Sequence, residues 1–363
     1  MPHFADLIKK KEPVSPLLKE EQGAVDKINQ SDEKGETRLT RAVQKGNINL
    51  VYGLVNSGAD VNQMNDYGKT PFHEAVRLGD IEMADHLYQL GADPYWVGQD
   101  GASALDLAVK NKDLQMVEYL YGINVDLNAK NKDGETVLHT LTLKDTEDKK
   151  MHQLLVELGA DINATDKFGK TPLHHQIIKG AWPSVASLIE LGADVNKKDS
   201  TGITPMHEAV LYDKVPYLKR LKRYGADINA QDNNGETPLF KAVKEKNTEA
   251  VKELLSLGAK LSVKDNYGRT VLNLPTTVDV KVLIAQEIKK RKNQKANASQ
   301  DKRLADAPQT LKNNADLLSK NTPPASDKAR ADAGSNQVGM SQFLRTHSGG
   351  MPQPIPFGRD RGA

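Results

Sequence analysis

Apolar positions along this chain come in short pairs of helical stripes, each pair closed by a polar turn. Residues 166–198 show the pattern most clearly. Asp166-Lys167-Phe168-Gly169 reads as a turn with glycine where positive φ costs least, and Thr171 is placed to cap the next helix through its hydroxyl. Pro172 suits the first helical position, where its missing N–H is not needed, so the spacing predicts a helix over about 171–179. A second helix begins at Pro183 and carries Val185, Leu188, Ile189 and Leu191 on one stripe. Gly192 ends it as a left-handed cap, and Ala193-Asp194-Val195-Asn196 leads into the next hairpin.

This unit repeats. Gly35, Gly68, Gly101 and Gly134 are spaced by 33 residues, as are Gly169, Gly202, Gly235 and Gly268, with one step of 35 between the two sets. Around them one phrase returns: Gly68-Lys69-Thr70-Pro71-Phe72-His73, Gly169-Lys170-Thr171-Pro172-Leu173-His174, Gly202-Ile203-Thr204-Pro205-Met206-His207 and Gly235-Glu236-Thr237-Pro238-Leu239-Phe240. A Gly-Ala-Asp-Val/Ile-Asn signature follows, as in Gly58 to Asn62, Gly159 to Asn163, Gly192 to Asn196 and Gly225 to Asn229. The chain thereby resembles the ankyrin repeat family, whose fingerprint includes Thr-Pro-Leu-His at this period. The implied fold is an all-α ankyrin solenoid of helix-turn-helix units with β-hairpin loops.

Two helices of about ten residues cannot bury their stripes alone, so stability comes from repeat-on-repeat contact. Seven full copies begin near Asp32, Asn65, Gly98, Asn131, Asp166, Asp199 and Asp232, and a truncated eighth begins at Asp265, with its second helix expected over about 277–291. Ser15-Pro16-Leu17-Leu18 opens an expected amino-terminal capping helix to about Asn29. The expected domains are a capping segment at 1–31, the array at 32–291 and a disordered basic and polar tail at 292–363. Departures from the pattern cluster in copies three and four. Ser103-Ala104-Leu105-Asp106 replaces Thr-Pro-Leu-His, Pro94-Tyr95-Trp96 alters the preceding hairpin, Val137 stands where proline is usual, and two extra residues fall around Lys144 to Lys150. A kink or altered curvature is expected within 95–150.

Composition narrows the chemistry. Cysteine is absent, which removes disulfides and thiolate nucleophiles. No run approaches the roughly 18 apolar residues of a membrane span, and the amino-terminal residues lack the apolar stretch of a secretory signal. The net charge of +2 conceals an asymmetry: residues 292–363 hold 11 Lys or Arg against 6 Asp or Glu, leaving a faintly acidic body. That bias does not demand nucleic acid.

Motifs that look catalytic are explained by the repeat. Gly68-Lys69-Thr70 and Gly169-Lys170-Thr171 end like a phosphate-binding loop, but Gln63 and Ala164 stand where its first glycine belongs. His73-Glu74 and His207-Glu208 begin like a zinc-protease helix, yet Arg77 and Leu211 occupy the second ligand position. The resemblance implies that His73, His139, His174 and His207 hydrogen-bond between neighbouring units. No catalytic residue, cofactor or metal site is nominated.

In the ankyrin family, partners dock on the concave side formed by the hairpin tips and the exposed face of each first helix. Alignment of the copies places those positions one residue before and after the turn glycine, four before it, and nine or ten after it. There stand Met64, Tyr67, Arg77, Phe168, Ile178, Ile203, Leu211, Tyr212, Tyr267 and Arg269, with Trp96 at another hairpin tip. Large apolar and aromatic groups on a surface mark interfaces. The expected function is therefore a monomeric protein-protein interaction scaffold. An enzyme or enzyme regulator with an unrecognised site, and nucleic-acid binding through the basic tail, are the alternatives. The hairpin asparagines, including Asn62 and Asn163, also match the spacing at which the family is hydroxylated, beside their commoner turn-capping role.

After about Asn293 the apolar periodicity stops, apart from a weak helical spacing over Gln309 to Leu318. Lys289-Lys290-Arg291-Lys292 reads as the last turn of a helix or as a short nuclear-import signal. A cysteine-free array with a polar carboxyl end is also similar to effectors that intracellular bacteria deliver by type IV secretion. The expected location is the cytoplasm, with delivery into a host cell as an extension of that reading.

Overall fold

The computed structural model describes residues 27–143 and 149–305, with side chains through 299. The expected start of the capping helix at Ser15, the segment Gln309 to Leu318 and the rest of the tail lie outside the described residues. The chain is helical at 27–29, where the capping helix is expected to end.

Each copy contributes a first and a second helix. These are α1 (Arg38–Gln44) and α2 (Ile48–Asn56), α3 (Pro71–Leu78) and α4 (Ile81–Gln89), then α5 (Ala104–Lys110) and α6 (Leu114–Gly122). The fourth copy holds α7 (Val137–Thr140) and α8 (Lys149–Glu157), the fifth α9 (Pro172–Lys179) and α10 (Trp182–Glu190). The last full copies hold α11 (Pro205–Leu211), α12 (Val215–Arg223), α13 (Pro238–Lys244) and α14 (Thr248–Ser256). A 3₁₀ turn at Val271–Asn273 and the long α15 (Val278–Ala305) complete the described chain. Among the described residues no helix is long and apolar enough to cross a membrane. No strand forms there either; the hairpins are turns, with isolated bridges at Ser31 to Thr37 and Val97 to Ser103.

The turn is built by one acid or amide and one glycine. In copy five the Asp166 carboxylate accepts the amides of Phe168 (2.8 Å) and Lys170 (2.9 Å), and Asp199 and Asp232 do the same one and two copies on. The turn then reaches its neighbour through backbone: the Ser200 amide donates to the Phe168 carbonyl and the Asn233 amide to the Thr201 carbonyl, each at 3.0 Å. Gly202 sits at φ +81°, and a Cβ there would lie 2.5 Å from the Asn233 amide nitrogen. Gly202→Ala is therefore expected to cost at least about 2 kcal/mol, from left-handed strain plus the backbone clash. Urea unfolding would show it, and an unchanged midpoint would contradict this account of the turn.

Helix starts and inter-repeat bonds share one device. The amides of Thr136, Thr171 and Thr204 donate to Nδ1 of His139, His174 and His207, at 3.0, 3.2 and 3.2 Å. With Nδ1 accepting, the neutral imidazole carries its proton on Nε2, which donates to the carbonyls of Lys170 (3.0 Å), Ile203 (3.1 Å) and Glu236 (3.0 Å) in the next copy. His73 keeps the cap, through Thr70, while its buried Nε2 makes no close hydrogen bond, although the Trp96 and Ala102 backbone lies near enough to act on the ring.

The hairpin asparagines form a second ladder. Oδ1 of Asn29, Asn62, Asn128, Asn163, Asn196 and Asn229 accepts the amide of Asp60, Asp93, Asp161, Asp194, Asp227 and Lys260 respectively, at 2.7–2.9 Å. Copy three interrupts it. Tyr95 stands in the asparagine position and its hydroxyl donates to the Asn124 carbonyl instead, at 3.3 Å.

The reading of the last helix needs correction. The last helix does not stop near Arg291 but runs to Ala305, so Lys289 to Lys292 is not a terminal turn. Lysine, glutamine and alanine sustain a helix without an apolar stripe, which the loss of periodicity obscured. Within it, Arg291 pairs with Glu287 at 2.7 Å and donates to the Ala259 carbonyl at 3.0 Å. The described array through Lys292 belongs to one compact unit and the remainder of α15 to a second.

The irregularity expected in copies three and four takes the form of a shortened helix. α7 has four residues, and the chain continues without helix through Leu141 to Leu143. The apolar interior divides just beyond. One cluster extends to Ala160, the other begins at Leu173, and the half-buried Ile162 packs against both.

Candidate functional site

The hairpin tips and first helices carry the residues chosen from the repeat alignment, and most of them are at the surface. Phe168 is 63% exposed and Tyr267 78%, and Tyr67, Leu211 and Tyr212 are also exposed. Ile178 is half-buried, at the α9 position equivalent to Leu211 on α11. Ile203 is the exception. It is only 8% exposed, its amide is held by Asp199 at 2.9 Å and its carbonyl receives His174 from the preceding copy. At Ile203 the residue after the turn glycine is covered by the neighbouring repeats, so it is structural and presents almost no surface to a partner.

The others are held in set orientations. The Tyr67 hydroxyl donates to the Lys34 carbonyl at 3.1 Å, bracing the ring across two hairpin tips. Trp96 packs against Met64, with its indole nitrogen 3.3 Å from the thioether sulfur. Arg77 forms a two-point pair with the buried Glu74, at 2.8 and 2.5 Å. Arg269 grips Asp265 at 2.7 Å and stacks 4.9 Å from the Tyr267 ring centre. Burial alone would raise the Asp265 carboxyl, but the Arg269 guanidinium and backbone amides outweigh it and hold the pKa below the usual range. Tyr67 and Trp96 thus present rings whose polar ends are already tied down.

Beneath it runs a feature the sequence reading missed, a rail of buried and half-buried charges. Lys170 pairs with the buried Glu208 and lies 3.9 Å from Asp199. Lys241 sits between two buried carboxylates, Asp232 at 2.6 Å and Glu236 at 2.5 Å, and Lys244 reaches Glu236 at 2.7 Å. His175 bridges Asp166 (2.8 Å) and Glu135 (3.4 Å) and meets the His139 ring edge-on at 5.1 Å. Burial pushes Glu208 up despite its lysine, whereas Asp166 is lowered because His175 and backbone amides more than offset its burial. One signal was available. The residue after each turn glycine reads Glu36, Lys69, Ala102, Glu135, Lys170, Ile203, Glu236, Arg269, a row of alternating sign broken only at copies three and six.

Among the described residues no group of histidine and acidic side chains could hold a metal ion. Many of the histidines and acids are taken up by caps, turns and the rail, while ring faces and aliphatic side chains stand exposed along the helical repeat array.

A family model of ankyrin repeats matches residues 5–95, 105–199, 144–232, 180–265 and 206–296. The chain belongs to the ankyrin repeat family, whose arrays are generally protein-protein interaction modules. No curated protein matches the chain.

Proposed function

We propose that this protein is a binding scaffold whose hairpin and first-helix face grips a partner protein, with its strongest contacts in copies five and six. The observation that carries this reading is the exposure of Phe168, Leu211 and Tyr212 at recognition positions of adjacent copies. Water-exposed rings and leucines on a rigid frame lose little entropy on binding and bury large apolar area. Arg77, Trp96 with Met64, and Tyr267 with Arg269 extend the grip toward either end of the array, and Ile178 supplies a half-buried edge. Delivery into a host cell is an extension that the array itself does not require.

The test is the triple variant Phe168→Ala, Leu211→Ala, Tyr212→Ala in the full chain. Affinity capture with quantitative readout is expected to fall by about 100-fold or more, at about 1 kcal/mol or more per anchor. The urea midpoint should stay nearly unchanged, because these side chains are largely outside the apolar clusters. Undiminished capture by a folded variant would remove this face from the binding surface.

A further inference from the structure

A hollow lies beside the shortened α7. Where a full first helix would pack, Leu141 to Leu143 run without helix, and a pocket of about 710 Å³ opens between this segment, α5, the start of α6 and the start of α8. Its floor is apolar, formed by Val109, Leu114, Leu141, Leu143 and Met151. That volume lies within the range of about 300–1,000 Å³ typical of small-molecule sites.

The polar groups of the lining are already committed, with two exceptions. Asp100 is paired with Lys69 at 2.6 Å, and that ammonium is the main cause of its lowered pKa. Asp106 is taken up in the Ser103 cap, Asn131 in its own turn, Thr140 on the Val137 carbonyl and Thr142 on Gln176. Lys110 and Lys150 are exposed lining residues, and neither makes a hydrogen bond or ion pair. An apolar floor between these two cations, with the described carboxylates of the lining neutralised, is complementary to a ligand with an apolar body and one anionic end.

We propose that this pocket binds a small amphipathic carboxylate, its chain on the Leu141, Leu143 and Met151 floor and its headgroup between Lys110 and Lys150. The site is separate from the partner-gripping residues of copies five and six, so the inference does not depend on that function. A covered floor would also stabilise the irregular copy, since a ligand that binds only the folded state adds to its stability.

Titration of the full chain with dodecanoate, followed by calorimetry, tests it. Saturable one-to-one binding is expected, with dodecanol and dodecyltrimethylammonium each weaker by about ten-fold or more. The surface double variant Lys110→Gln, Lys150→Gln should lose a similar factor for dodecanoate while keeping its affinity for dodecanol. Met151→Trp, which fills the floor, should abolish both. Absence of saturable dodecanoate binding overturns the proposal, as does binding unaffected by the double variant. So does capture of a peptide with adjacent leucine and glutamate in the absence of dodecanoate binding, since it would assign the hollow to a protein partner.

Discussion

Between pH 6.5 and 4 the array is expected to lose on the order of 10 kcal/mol of unfolding free energy, enough to unfold it. Four buried histidines carry the effect. His73, His152, His174 and His207 are each pushed down from the ordinary 6.5 to about 4, primarily because burial disfavours the charged ring. In the unfolded chain these rings take a proton as pH falls through 6.5; in the folded array they resist until about 4. The unfolded state therefore binds more protons across that window and stability falls with pH, by up to about 3 kcal/mol per ring. Above about pH 7.5 all four are neutral in both states and add no slope. The structural reason is plain for His174 and His207, whose Nδ1 must accept the cap amide and cannot do so once protonated. His139 is lowered as well, again chiefly by burial, and adds to the same trend.

Urea unfolding at pH 7.5, 6, 5 and 4.5 measures this directly, and a midpoint that stays level down to pH 5 would contradict it. His152 gives a sharper control. Neither of its ring nitrogens makes a hydrogen bond, so His152→Leu should remove one proton's share of the slope while leaving stability near pH 7.5 intact or raised. A steeper slope in that variant would show that its burial has been misread.

The second large effect is Lys241→Ala, expected to cost about 3–5 kcal/mol near neutral pH. Burial pulls the Lys241 ammonium down, but Asp232 and Glu236 more than offset it and hold the pKa above the usual range. Removing it leaves the two carboxylates, 2% and 4% exposed, with only Lys244 on one of them. Asp232 also organises the turn of its copy, so the damage reaches the backbone. Combining Lys241→Met with Asp232→Asn and Glu236→Gln should restore much of the loss, since it removes the charges together with their partner. If Lys241→Ala alone changes stability by less than about 1 kcal/mol, the pair behaves as a solvent-exposed ion pair and the rail is not buried.

The array was legible in the sequence because its signals are local and periodic. Turn glycines, threonine caps and the cap histidines each recur at one offset, and each has a single-residue physical cause. The rail was not legible because a lone Lys170 or Glu208 reads as surface; only the pairing across 38 positions buries them together. Ile203 was misplaced for the same reason, since its exposure depends on the turn of the preceding copy. The exposure of Leu211 and Tyr212 was easier to read, because both lie beyond the buried stripe of their own helix. The hollow beside α7 could not be read at all: an insertion says that a helix is disturbed, not what space the disturbance leaves.

Where the two apolar clusters meet, Ile162 packs against both while hydrogen bonds such as His139 to Lys170 and Thr142 to Gln176 cross the same junction, so that joint is riveted by polar as well as greasy contacts.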